Sequence, residues 1–254
     1  MGCTQSQVDH DANTFAKPSP DKSSLMLVES AKVTGSLHAV SSDRGDAIRS
    51  AFLSGQLTVD SRCPLNERQL YCITKSWKAI NRNMSEAAIN TFVRLFETNR
   101  DIQEMFAVFK DFDTVAELRS SKVLESHAMK VFQTIDDTIV NFDYMDYVLK
   151  MLQIVAQSHS DRFPHFNPDF FARVEEPFIL AVKDELGDRF TISMETIYRN
   201  TIRFIGGTLA REFSNSREMA TRNGHPITPK DSTDGDAKTK PPAASANGAT
   251  DAYK

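Results

Sequence analysis

The stretch VLESHAMKVF, residues 123–132, decides how this chain folds. Leu124, Ala128, Val131 and Ile135 recur at helical spacing and give one apolar face to a helix over about 120–140. His127 lies on the edge of that face, away from the wet side. A buried imidazole needs a partner, because an unsatisfied buried polar group costs roughly 1–3 kcal/mol. The same problem recurs downstream, where Val148, Leu152, Val155 and His159 share one face at steps of four, three and four. The loop NFDYMD lies between the two histidines. At 1.5 Å per residue the chain climbs roughly 20 Å from His127 to that loop and returns a similar distance to His159. Two antiparallel helices then put both imidazoles at one level, facing each other across a gap.

Working outward, the chain divides into three regions. Residues 1–60 are rich in Ser, Asp, Gly and Lys, with LMLV at 25–28 as the one compact apolar run, and read as a mostly disordered arm. Residues 215–254 form a polar, Pro/Ala/Thr-rich tail of the same kind. Residues 61–214 read as helix after helix. Asn66 with Gln69 three residues on, flanked by Leu65 and Leu70, is a capping box with a hydrophobic staple. Leu70, Ile73, Trp77 and Ile80 supply the face that follows, and Ile89, Phe92 and Phe96 mark a second helix. NRDIQEMF is a short turn. Asn167-Pro168 predicts a helix start that leads through Phe171, Val174, Phe178 and Val182 to a stop at Gly187. Pro177 falls inside that helix and predicts a bend. A last helix over about 192–213 carries Ile197, Phe204, Ile205, Leu209 and Phe213.

Composition narrows the function. A net charge of −4 and no basic stripe with interleaved aromatics argue against nucleic acid. Seventeen Phe against five Tyr and one Trp need a core or a large flat apolar guest. Three cysteines without CxxC pairs, no apolar run of membrane-spanning length and no signal-peptide layout suggest a cytosolic, reduced protein. GxSxG, HExxH and phosphate-binding glycine loops are all missing. Any catalysis would be redox chemistry of a cofactor.

Each histidine alone reads most simply as a core residue bonded to a carbonyl. Two at matched height in a Phe-rich helical domain point further. Zinc wants four ligands, and no Cys, Asp or Glu stands at ligand spacing beside either His. Two axial ligands with nothing else suit a planar metallocycle that brings four nitrogens of its own, which is haem.

Here the residues resemble a family. RLFETNRDIQEMF at 94–106 is similar to the globin pattern RLFxxxPxxxxxF, HAMKV at 127–131 to the distal-helix pattern, and VAQSH at 155–159 to the proximal one. Trp77 matches the tryptophan of the first helix. The resemblance implies an all-α, three-on-three globin fold binding haem b (iron protoporphyrin IX). It implies His159 as the proximal iron ligand and His127 as the distal residue, either ligating iron or hydrogen-bonding O₂. Phe106 would stack on the haem with Phe109 following, Phe92 and Val131 would line the distal side, and Val155 the proximal side. Lys130, Arg162 and His165 are candidates for the haem propionates. Two departures stand out: Arg100 replaces the pattern's proline, and HSDRFPHFNPDFF looks about two residues longer than usual.

The first residues, MGCTQSQ, fit an N-myristoylation signal at Gly2 with Cys3 beside it as a palmitoylation site. One myristoyl chain binds membranes only marginally, so a stable anchor needs the second acyl group. The globins most similar in type are membrane-bound, often bis-histidyl ones like globin X, with a neuroglobin-like core. The expected reading is a lipid-anchored, six-coordinate globin on the cytoplasmic face of the plasma membrane. It would work in electron transfer with an unknown reductase, in redox signalling, or in sensing O₂ or NO. The alternatives are a five-coordinate reversible O₂ carrier or store and, from another class, a haem-free helical adaptor; the alternative location is the cytoplasm. Cys63 and Cys72 form a candidate redox pair.

Overall fold

The computed structural model describes residues 34–222 and 224, apart from 107 and 164, with side chains described from 43 onward. Gly2, Cys3, the LMLV run and residues 225–254 lie outside the described residues. Part of the expected arm is structured: α1, Thr34–Leu53, is a helix. Ile48 on it is only 2% exposed. Phe52 stacks on Tyr71 with ring centroids 4.8 Å apart. Arg49 donates to the Thr74 carbonyl at 3.0 Å, and Arg44 to the Val140 carbonyl at 3.3 Å and to Asp143 at 3.0 Å. The helix is held by a few apolar side chains and by polar anchors with distant partners. That is why it has no sustained apolar period of its own.

The expected capping box is present. Asn66 accepts from the Gln69 N–H and Gln69 from the Asn66 N–H, both at 3.0 Å, and they start α2, Glu67–Arg82. Helix α3, Met84–Thr98, follows almost at once. The NRDIQEMF turn holds a short helix, α4, Arg100–Glu104, and a turn-rich segment leads to α5, Val115–Ser120. Ser121 caps α6, Lys122–Val140, through the Leu124 N–H. Residues 141–144 form the loop before α7, Met145–Arg162.

The Asn167-Pro168 signal works differently from its reading. Asn167 accepts from the Asp169 N–H at 3.0 Å, and the one-turn helix α8, Phe170–Arg173, begins after it. The chain breaks at Val174 and restarts as α9, Glu175–Leu186. The expected bend is therefore a break, and Pro177 sits in the first turn of α9, where its missing N–H costs no helical bond. Gly187 ends α9 with φ +52°, a conformation open to glycine. The last helix, α10, Ile192–Arg222, runs past the expected boundary at 214. Arg217 holds its extension by donating to the Phe163 carbonyl at 2.7 Å and lying over the Phe213 ring.

Helices α2, α6 and α7 form one layer and α3, α9 and α10 the other, with α7 against α10 and α6 against α3 as the main crossings. Trp77 lies where they meet, among Phe132, Phe178 and Tyr198. Its indole N–H donates to buried Asp136 at 2.7 Å. No described helix is long and apolar enough to cross a membrane.

Next to Asp136, burial and its neighbour's carboxylate push Asp137 up to about 6, against the Tyr147 hydroxyl and Arg44, which favour its charged form. In the unfolded chain the same group titrates near 3.8. Between these values the fold holds more protons than the unfolded chain, so this group's contribution to stability falls as pH rises through 6. Asp137→Asn should match the wild type in urea unfolding near pH 4. At pH 7.5 it should exceed it by about 1–3 kcal/mol. Equal midpoints at both pH values would refute the assignment.

Candidate functional site

Helices α6 and α7 carry the two histidines to one cavity. It has a volume of about 120 Å³ and is walled almost wholly by apolar side chains. Of the twenty lining residues only His127, Thr134 and His159 bring polar side chains, and six are phenylalanines.

The two imidazoles are held differently. His159 Nδ1 lies 2.8 Å from the Val155 carbonyl, one turn back on α7. A carbonyl only accepts, so Nδ1 carries the proton and the Nε2 lone pair is free. Phe166 and Phe171 flank the ring with centroids at 5.6 and 5.2 Å. Burial lowers its pKa, partly offset by the carbonyl. Neither nitrogen of His127 has a hydrogen-bond partner among the described residues. Its ring stands edge-on between Phe92 at 5.3 Å and Phe106 at 5.2 Å. Burial, then the nearby His159, then Lys130 push it down to about 4. At neutral pH both imidazoles are therefore uncharged and able to donate a lone pair.

The remaining expected residues divide. Phe92, Phe106, Val131 and Val155 line the cavity. Phe109 does not: it is fully buried behind Phe106, at 5.4 Å, and supports that ring from the core side. Lys130, Arg162 and His165 are exposed and off the cavity wall, while the adjacent Val131, Phe163 and Phe166 are on it. Helical geometry explains Lys130, because residues 127, 131, 134 and 135 take the inward face and leave 130 at its margin.

Several wall residues went unrecognised in the sequence. Phe163, Phe166 and Phe170 come from the stretch between α7 and α9, whose density of phenylalanine was a usable signal. Ile202, Ile205, Gly206 and Leu209 form the α10 wall. Gly206 was also legible, since glycine inside a helix costs roughly 1 kcal/mol relative to alanine and needs a packing reason. A Cβ there would meet the Phe171 carbonyl oxygen at 3.1 Å.

A neutral imidazole with a free lone pair, a second one without a protein partner, and aromatic walls fit a flat apolar macrocycle that carries a metal. The globin family model matches residues 89–209. Neuroglobin of Danio rerio is 23% identical over 154 residues, spanning 61% of this chain and 96% of that protein. Hemoglobin subunit beta of Thunnus thynnus is 22% identical over 44% of this chain and 73% of its own. Among solved structures, a hexacoordinated haem protein from an anhydrobiotic tardigrade, in a crystal at pH 4, matches with a TM-score of 0.58 and 29% identity. That match covers 61% of this chain and 99% of the tardigrade chain. Together the family match and these relatives support a neuroglobin-like, haem-binding globin. Globins as a class bind O₂ or other diatomic gases.

Gly206→Val should press on the α8 backbone and displace Phe171 from His159. The expected loss is about 1–3 kcal/mol of stability, as for other overpacked sites, together with weaker haem retention. Unchanged thermal unfolding and haem content would show that α8 yields freely.

Proposed function

We propose that the cavity holds haem b between His159 and His127, with Nε2 of each imidazole on the iron. In this reading the protein is a six-coordinate globin that passes electrons to or from a reductase-type partner, or senses O₂ or NO. The observation that carries the proposal is the contrast between the histidines. His159 is turned and fixed by the Val155 carbonyl, as a metal-ligating histidine usually is by its second nitrogen. His127 is half-buried between the Phe92 and Phe106 rings, with no hydrogen-bond partner among the described residues to compete for its lone pair. The hexacoordinated relative supports the same arrangement.

When bound, haem supplies one-electron redox chemistry and a site for diatomic ligands. The chain's own residues set the terms. Phe92 gives the distal side no hydrogen bond, so His127 is the polar group an incoming gas meets. Phe106 and Val131 complete that side, and Val155 lies with His159 on the other. Lys130, Arg162 and His165, each next to a wall residue, would meet the haem carboxylates. Phe163, 38% exposed, is one of these wall residues.

The remainder of the proposal concerns the N-terminus. Gly2 and Cys3 would carry myristoyl and palmitoyl groups and hold the globin at the cytoplasmic face of the plasma membrane. A tethered globin is poorly suited to bulk O₂ transport and better placed for local redox work. The MGCTQSQ motif supports this.

The visible spectrum of the dithionite-reduced protein tests coordination. Sharp low-spin bands without added ligand are expected, turning to a broad high-spin band in His127→Leu. A broad band in the wild type would instead favour a five-coordinate O₂ store. His159→Ala should lose haem, and a wild type that takes up no haem on reconstitution would leave only the helical adaptor. For the anchor, Gly2→Ala should abolish incorporation of a clickable myristate analogue in cells, and Cys3→Ser should release the protein from membrane fractions. Equal labelling of wild type and Gly2→Ala would rule the anchor out.

A further inference from the structure

The segment between α4 and α5 bears Phe106, and among its described residues the backbone hydrogen bonds are those of successive turns. Phe106 N–H donates to Gln103 at 3.0 Å, Phe109 N–H to Phe106 at 2.8 Å and Phe112 N–H to Phe109 at 3.0 Å. Two side chains of α4 supply the other restraints. Gln103 is 2% exposed, and its amide N–H groups donate to the Phe109 carbonyl at 2.6 Å and the Phe112 carbonyl at 2.8 Å. Arg100 donates to the Phe112 carbonyl and to the Lys110 carbonyl, both at 2.8 Å. It also donates to the Gln103 amide oxygen at 3.3 Å, which fixes which end of that amide faces the loop. Arg100 stands where the RLFxxxPxxxxxF pattern has proline. A planar guanidinium fork thus takes over restraint that a fixed φ would otherwise give.

We infer that Arg100 and Gln103 are a polar clamp that sets where Phe106 stands against His127, and so governs how readily His127 yields its place to an incoming gas. This rests on the proposed role of His127 as the second iron ligand. The path from clamp to histidine is continuous. Phe112 packs on Phe109 at 5.9 Å, Phe109 on Phe106 at 5.4 Å, and Phe106 on His127 at 5.2 Å. The opposite neighbour of His127, Phe92, sits within the regular helix α3 and has no comparable freedom. Of the two rings that confine the imidazole, Phe106 is therefore the one whose position is adjustable. Arg100 and Gln103 touch neither the histidine nor the cavity, and act as positioning residues.

The test uses the full chain in two variants. Gln103→Met keeps the volume and removes both donors, and Arg100→Lys keeps the charge but cannot fork across two carbonyls. Amide hydrogen exchange over residues 105–113 should quicken at least tenfold in Gln103→Met and several-fold in Arg100→Lys, with exchange in α6 unchanged. In the reduced, haem-loaded protein, the carbon monoxide binding rate should level off at the rate of His127 release. That limiting rate should rise about fivefold or more in both variants, and a second substitution, His127→Leu, should abolish the plateau. Exchange unchanged in both variants would overturn the clamp. Faster exchange with an unaltered limiting rate would overturn its control of His127. A wild-type rate that never levels off would refute the reading of His127 itself, and exchange alone would then decide the clamp.

Discussion

The hydrogen bond from Trp77 to Asp136 joins the two layers' most crowded point to a carboxylate that has left water. A buried carboxylate is tolerated only where donors meet it. The indole N–H supplies one at 2.7 Å, and the Asn81 amide approaches at 3.4 Å. The pairing fixes the rotation of α2 against α6. Once that rotation is set, Phe132, Phe178 and Tyr198 have one way to pack around the indole, and α9 and α10 take their places from those rings. The inward face of α6, with His127 on it, follows from the same rotation.

The walls of the cavity combine firm and yielding parts. On the His159 side, a helical carbonyl and three phenylalanine rings hold the imidazole, and α8 closes down on Gly206. On the His127 side, the imidazole is confined by rings alone, and one of them belongs to a segment without regular secondary structure. Protein motion concentrates where buried contacts are few and the backbone is irregular. One imidazole is thus held firmly, and the other faces a wall that can shift.

Much of this was legible in the sequence because strong local signals agreed. The Asn66–Gln69 capping box, the four-three-four spacing ending at His159, and Gly187 as a stop each correspond to one local physical cause, and each appears in the structure where expected. The less legible features depended on distant partners. Helix α1 shows no clear period because its anchors are Thr74, Val140 and Asp143, far along the chain. The extension of α10 depends on a carbonyl at Phe163. Phe109 was assigned to the cofactor because a pattern gives spacing but not the side of a ring that faces the cavity. The Arg100–Gln103 arrangement was visible only as a missing proline, since hydrogen bonds to loop carbonyls leave no trace in residue type.

The docking of α1 also determines how the domain carries mechanical load. Arg44 and Gly45 lie against Val140, at the far end of α6 from His127. The separation is thirteen residues, or about 20 Å of helix at 1.5 Å per residue. A pull or twist applied ahead of residue 34 therefore enters through α2 and the C-terminal end of α6. Both are regular helices braced by Trp77, and the force is spread there before it reaches the segment around Phe106. Force on α1 would therefore reach the braced helices first and the segment around Phe106 last.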